Sequence, residues 1–179
     1  IYTLSLHDAL PICVSLELFD KYNTPERVRR HCNEVARVAR IIAERLNSKG
    51  YDINIDELYG AALVHDVLRA EKEHDKRGAE ILLGLNLPRE AELVRRHMTY
   101  EPFNHAGDFE EIDILCLADR VVKEDRYVGL DERMQYLIDK PGKNPERTAR
   151  ILKAKMHTQG IIDELEAVMG ISLDALCEK

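Results

Sequence analysis

The sequence predicts an all-α protein with a single domain. Apolar residues recur at helical spacing through most of the chain after residue 20, and no stretch shows strand-like alternation with hairpin turns. With 179 residues, of which 45% are hydrophobic and 33% charged, the chain has the length and composition of one globular domain. We expect about six to eight helices around a central apolar helix.

Four helices are predicted in the first half of the chain. Thr24-Pro25-Glu26 combines a capping hydroxyl, a first-turn proline and an acidic residue, and begins a helix that Ser48-Lys-Gly50 ends. The next helix, Asp56–Arg69, is apolar nearly all round, which is typical of a central helix. The third and fourth are predicted over His74–Leu85 and Pro88–Met98.

The second half follows a predicted loop at residues 100–108. Helices are expected over Phe109–Glu124 and Asp131–Ile138, and a long last helix over Asn144–Met169, followed by a final turn that Ser172 caps. The linker Pro141-Gly-Lys-Asn144 separates a core, residues 21–140, from a C-terminal helical extension, residues 141–179, which we expect to pack on the same domain.

The N-terminal segment differs from the rest. Tyr2–Ile12 resembles the translation of a sequencing-library adapter, so we expect residues 1–20 to be non-native or disordered. A signal peptide is the competing interpretation, but the segment lacks a basic n-region and contains Asp8. The chain begins with Ile1 rather than methionine, which is typical of a fragment or a processed product.

Charge and cysteine content exclude several classes of protein. The formal charge is −7 and no long basic stripe is present, which argues against duplex nucleic acid as the main partner. No apolar run approaches the roughly 20 residues of a membrane span. The four cysteines form no CxxC pair, and we expect free thiols in a reducing, cytoplasmic compartment.

Two carboxylates lie in otherwise apolar runs. Asp66 follows Ala-Ala-Leu-Val-His65, and Asp119 follows Leu-Cys-Leu-Ala. A buried carboxylate is costly unless it is paired, hydrogen-bonded or bound to a cation. His31, His74 and His97 also fall on apolar helix faces. Each of these six side chains could alone be a satisfied core residue or an ion-pair partner, but one buried metal centre would satisfy all six together.

The order His31, His65-Asp66, Asp119 resembles the signature of the HD-domain superfamily of metal-dependent phosphohydrolases, over residues 24–130. The resemblance implies an all-helical HD-type fold in which these residues bind a divalent metal and phosphate esters or nucleotides are hydrolysed. His74 and His97 look like the added histidines of two-metal HD enzymes, such as the diadenosine tetraphosphatase type. By that resemblance, Asp66 bridges to a second metal that His74 and His97 hold.

The region from Val128-Gly-Leu-Asp-Glu-Arg133 through the last helix is also similar to HD domains that follow a nucleotidyltransferase-like domain. This resemblance implies that such a domain could lie upstream.

The ligand types indicate the metal and the chemistry. A mixed histidine and aspartate set favours iron or manganese, with zinc, nickel and magnesium as alternatives, at one or two ions per chain. Two such ions can share a water, lower its pKa and polarise phosphoryl oxygens, so that a metal-bound hydroxide attacks phosphorus. We assign His65, Asp66 and Arg69 to catalysis. Many HD enzymes have lysine where this chain has Arg69, and arginine binds phosphate but does not readily release a proton.

Candidate phosphate ligands are cations near the motif. Lys123 and Arg126 follow Asp119 at i+4 and i+7 of the predicted helix, and Arg69 and Lys72 leave the central helix near His74. Ion pairs with neighbouring acidic residues are an equally good interpretation.

The loop at residues 100–108 offers Tyr100, Phe103 and His105, which could cap the site or stack on a base, although a plain surface loop is favoured. We expect His157 at the surface.

The sequence thus predicts a metal-dependent phosphohydrolase that acts on a nucleotide or another small phosphorylated metabolite. The alternative is a non-catalytic, metal-bearing ligand-binding domain that regulates an attached or partner nucleotidyltransferase. A metal-free helical interaction domain is a third, weaker hypothesis.

Overall fold

Nine helices and one short β-hairpin make up the described part of this computed structural model, which is residue 10 and residues 12–99, 103–140 and 144–177. The helices are α1 (Ile12–Lys21), α2 (Glu26–Asn47), α3 (Ile55–Val64), α4 (His74–Gly84), α5 (Pro88–Arg96), α6 (Glu111–Val121), α7 (Gly129–Asp139), α8 (Pro145–Met169) and α9 (Leu173–Cys177). The strands are β1 (Val122–Lys123) and β2 (Arg126–Tyr127), paired antiparallel. The predicted all-α class is confirmed.

The core forms where α2, α3 and α6 pack together, with α5 against α3. The apolar character of α3 is explained by its burial, since every residue from Gly60 to Val64 is buried. Helices α4 and α5 approach each other closely at Gly78, because an added Cβ at this residue would lie 3.1 Å from a methyl group of Val94. Later in the chain, α7 packs on α8, and α9 contacts α2.

The central helix ends at Val64, five residues before the predicted Arg69, so the His65-Asp66 dipeptide lies in turns beyond it. Short backbone bonds replace the helical ladder here, from the Val67 amide to the Val64 carbonyl and from the Arg69 amide to the Asp66 carbonyl. The Thr24 hydroxyl donates to the Val67 carbonyl at 2.7 Å instead of capping α2. Contact with a distant residue therefore overrides the local helical pattern.

The predicted fifth helix also ends early, at Val121 rather than Glu124, and the expectation that no hairpin occurs is wrong at this point. Glu124 has a φ of 55°, a left-handed conformation that turns the chain back between β1 and β2. The Val128 amide then donates to the Val121 carbonyl at 2.9 Å and closes the hairpin.

Residues 12–20 of the predicted N-terminal segment form most of α1, with Leu18 and Phe19 buried, so they are ordered, and their non-native origin stays a prediction. The earlier segment, apart from Leu10, lies outside the described residues, as do Tyr100 of the predicted loop and residues 141–143 of the predicted linker.

All four cysteines are free thiols, and only Cys13 is exposed. Among the described residues, no helix combines the length and apolar character needed to cross a membrane.

Replacing Thr24 by valine removes the hydroxyl that this residue offers to the turns after α3. The Val67 carbonyl then loses a buried partner, and we expect the free energy of unfolding to fall by about 1–3 kcal/mol. Urea unfolding monitored by circular dichroism measures the change. Thr148→Val on α8, where the residue is half-buried, is the control. Equal stabilities for Thr24→Val and the parent protein would show that the bond does not hold the turns.

Candidate metal centre

The six inward-facing residues predicted from the sequence meet in two adjoining groups. His31, His65 and Asp119 form the first group, and Asp66, His74 and His97 form the second. Within each group, one possible ligand atom from every side chain lies within 4.8 Å of the others. The structure therefore brings together all six residues that the sequence analysis assigned to a metal.

Most of these residues lie where helices begin or end. His65 and Asp66 follow the last residue of α3, His74 is the first residue of α4, and His97 follows the last residue of α5. His31 and Asp119 project from within α2 and α6. Helix ends allow backbone carbonyls outside the regular ladder to accept side-chain hydrogen bonds.

Backbone carbonyls fix the rings of His65 and His97. The Nδ1 of His65 donates to the Ala62 carbonyl at 2.8 Å, and the Nδ1 of His97 donates to the Val94 carbonyl at 2.7 Å. These bonds assign the proton to Nδ1 and leave Nε2 as a lone-pair donor in the neutral ring.

Both Nε2 atoms are buried and have no hydrogen-bond partner among the described residues. An unpartnered buried nitrogen is rare and costly in a folded protein. A metal ion would satisfy it, and metal-binding histidines typically donate their other N–H to a carbonyl in this way. The donor set of His65 and His97 therefore fits a divalent cation.

The Asp66 carboxylate lies between the two groups. Its Oδ1 is 3.1 Å from Nε2 of His74 and 3.6 Å from Nε2 of His97, while its Oδ2 is 3.8 Å from Nε2 of His65. Burial by itself would raise the pKa of Asp66, but the neighbouring imidazoles of His65, His74 and His97 hold it well below its usual value. This carboxylate remains ionised and lies within 4 Å of histidine nitrogens from both groups.

His31 connects the first group to the hairpin. Its Nδ1 donates to the Glu124 carbonyl at 3.0 Å, and its Nε2 donates to Oδ1 of Asp119 at 2.9 Å. Burial lowers the pKa of His31, yet the hydrogen bond and charge of Asp119 outweigh that effect and leave it raised. Without a cation, a proton on this ring compensates the Asp119 charge.

The four imidazoles follow one another through the centre. Ring centroids are 5.6 Å apart for His31 and His65, 5.2 Å for His65 and His97, and 5.5 Å for His97 and His74. Burial lowers the pKa of His65, at the middle of this row, to about 4, so this ring is neutral near pH 7. Neutral imidazole is the form that binds metals.

Arg69 lies beside the second group. One of its terminal nitrogens, NH1, is 3.2 Å from Nε2 of His74 and 3.4 Å from Oδ1 of Asp66. Its side chain is 45% exposed, so the guanidinium contacts both the centre and solvent. That position suits a group that contacts a bound phosphate.

The other predicted phosphate ligands are placed differently. Lys123 and Arg126 lie on the hairpin, so the helical spacing from Asp119 on which the prediction relied is wrong. Both contact Glu132, Lys123 at 3.0 Å and Arg126 at 3.6 Å. Lys72 is exposed in the turns before α4. Their contact with phosphate stays a prediction.

The sequence analysis did not assign Arg133 on α7 to the site. Its side chain is 14% exposed, and its NH2 nitrogen is 3.9 Å from Oδ1 of Asp119. The resemblance over Val128–Arg133 gave this arginine no role, because its proximity to Asp119 depends on how α7 folds back on α6.

Two residues of the predicted loop at residues 100–108, His105 and Phe103, contact groups that are not candidate ligands. His105 pairs with Glu164 at 2.8 Å and is 75% exposed, and Phe103 is buried with the Arg120 guanidinium 4.7 Å from its ring centroid. His157 is exposed, as expected.

Comparison with known families identifies the fold. The HD domain family model matches residues 28–124, which is more than half of the chain and contains all six candidate ligands. The chain belongs to the HD domain family. Helices α7 to α9 follow the matched segment of this HD domain protein.

An uncharacterized protein of Methanocaldococcus jannaschii is 27% identical to this HD domain protein. The matched region covers 71% of this chain and 85% of the length of the relative. No solved structure matches the chain.

A divalent cation that binds only the folded protein should stabilise it. With Mn²⁺ at about a hundred times its dissociation constant, we expect about 2.7 kcal/mol of added stability, seen as a higher thermal midpoint by calorimetry. Asp66→Ala should lose most of this gain, because it removes the carboxylate that lies between the two groups. His157→Ala, an exposed histidine, is the control. An equal gain in Asp66→Ala would place the bound cation elsewhere.

Proposed function

We propose that this HD domain protein is a metal-dependent phosphohydrolase that cleaves a phosphate ester or phosphoanhydride of a nucleotide or another small phosphorylated metabolite. The observation that carries the proposal is the pair of buried, unpartnered Nε2 atoms of His65 and His97 on either side of the ionised Asp66 carboxylate. Six groups of this chemistry are costly to keep inward unless cations satisfy them.

The two groups of side chains would hold one divalent ion each. His31, His65 and Asp119 would bind the first ion, His74 and His97 the second, and Asp66 both. Because imidazole and carboxylate ligands are mixed, iron or manganese is favoured over zinc, nickel or magnesium. When bound, such ions polarise phosphoryl oxygens and lower the pKa of water.

The chain's own residues supply orientation and charge. The carbonyls of Ala62 and Val94 hold two imidazoles in one tautomer, so little rearrangement is needed when a ligand arrives. Arg69 offers a planar guanidinium beside the second group, suited to two oxygens of one phosphate. Because arginine stays protonated, Arg69 would bind and orient the substrate without relaying a proton.

The upstream nucleotidyltransferase-like domain stays a prediction. Binding of a nucleotide without turnover would favour the regulatory alternative over the phosphohydrolase.

Turnover tests the proposal directly. Protein loaded with Mn²⁺ or Fe²⁺ should hydrolyse p-nitrophenyl phosphate, bis-p-nitrophenyl phosphate or a panel of nucleotides, detected by released nitrophenol or phosphate. Asp66→Asn preserves the size of the side chain but removes its charge, and should lower kcat about 10²-fold or more, as expected for loss of one charge-stabilising group. His157→Ala should keep full activity. Equal turnover in Asp66→Asn would contradict the proposal.

The role of Arg69 has its own test. Arg69→Ala removes a charge-assisted hydrogen bond worth about 1.5–3 kcal/mol, so we expect KM to rise roughly tenfold or more. Arg69→Lys keeps the charge but not the planar fork, and should recover only part of the loss. Steady-state kinetics separate the two parameters. A KM that stays constant in Arg69→Ala would show that this side chain does not contact the substrate.

A further inference from the structure

Helix α7 carries a row of side chains, one of which lies beside Asp119 of the candidate metal centre. Arg133, Tyr136 and Lys140 are spaced by three and four residues, which places them on one side of the helix and its C-terminal end. The Tyr136 ring lies between cations, with Lys140 4.8 Å, Lys123 5.0 Å and Arg133 5.9 Å from its centroid. This row lies outside the segment that matches the HD domain model.

Within this row, Arg133 is the residue that lies beside Asp119 of the candidate metal centre. Its NH2 nitrogen is 3.9 Å from Oδ1 of Asp119, which is beyond hydrogen-bond distance. Its Nε is buried and has no hydrogen-bond partner within the described parts of the chain. A guanidinium has five N–H donors, and leaving a buried one unpaired is unfavourable. Arg133 therefore has donors available for an incoming acceptor.

The acidic side chains of α7 contact other groups. Glu132 pairs with Lys123 and Arg126, Asp131 with Lys155 at 2.7 Å, and Asp139 accepts a hydrogen bond from Gln135. Asp119 is engaged by His31 at 2.9 Å. The charge of Arg133 is thus only partly balanced within this helix and its neighbours.

Positive charge continues outward from Arg133. Burial lowers the pKa of Lys140, and the charges of Arg133, Arg69, Arg147 and Arg27 lower it further. An anionic ligand would relieve this repulsion. Because an α-helix rises about 1.5 Å per residue, Arg133 and Lys140 start about 10 Å apart along the axis of α7. A ligand that contacts both side chains is therefore expected to carry more than one phosphate.

We propose that Arg133 binds a phosphoryl oxygen at the edge of the His31–His65–Asp119 group, and that Lys140 binds a second phosphate, so that the substrate is a polyphosphate ester such as a nucleoside di- or triphosphate. The inference rests on the proposed function for its assignment of the ligand as a substrate. Arg69, beside the second group, and Arg133, beside the first, would then both contact the reacting phosphate.

Calorimetric titration with inorganic phosphate and with tripolyphosphate tests the proposal without requiring turnover. In the Mn²⁺-loaded protein, Arg133→Gln should weaken phosphate binding roughly tenfold or more, and Arg133→Lys should recover part of it. Lys140→Gln should weaken tripolyphosphate binding while leaving phosphate binding within about twofold of the parent protein. Arg150→Gln, an exposed arginine on α8, is the control.

Circular dichroism and metal content establish that each variant is folded and loaded. If Arg133→Gln does not fold, the same calorimetric titrations of Arg133→Lys and Lys140→Gln test the proposal. Unchanged affinity for inorganic phosphate in the folded Arg133 variants would overturn the assignment of Arg133. If Lys140→Gln weakened the binding of phosphate and of tripolyphosphate equally, the inference that the substrate is a polyphosphate ester would be overturned. Because binding is measured apart from turnover, a loss of affinity in Arg133→Gln supports this inference even where no hydrolysis is found.

Discussion

The buried Asp66 carboxylate is the constraint on which the rest of the structure depends. Taking a charged carboxylate out of water costs several kcal/mol unless groups of opposite charge or strong donors surround it. Here His74, His97 and Arg69 lie within 3.6 Å of its Oδ1, and His65 approaches its other oxygen. These groups come from the turns after α3, from the start of α4 and from the end of α5, so one buried charge is surrounded by three separate segments of the chain.

Backbone geometry next to the ligands supports the same centre. Glu73, immediately before His74, and Glu124, whose carbonyl accepts from His31, both have positive φ angles, 53° and 55°. A residue other than glycine pays of order 1 kcal/mol or more for this conformation, and such residues cluster at functional sites. At Glu124 the conformation turns the hairpin so that its carbonyl meets His31. Two residues thus hold unfavourable backbone angles next to side chains of the candidate metal centre.

The sequence was sufficient for the all-α class and for the six clustered residues, because an ionisable side chain on an apolar helix face is costly to bury and so marks a place where polar groups meet. The end of α3 at Val64 was not predictable, since the turns that follow it bond to Thr24, which lies 43 residues from its partner Val67. The hairpin was missed because strands of two residues carry no alternation. Arg133 was missed because only the folded chain places it beside Asp119.

The central claim is that two groups of side chains around Asp66 hold divalent ions. Anomalous diffraction from crystals grown anaerobically with Mn²⁺, measured on both sides of the manganese absorption edge, tests it most directly. The account predicts two anomalous peaks per chain, one coordinated by His31, His65 and Asp119 and one by His74 and His97, with Asp66 contacting both. A single peak away from Asp66, or none between these six side chains at saturating Mn²⁺, would contradict it.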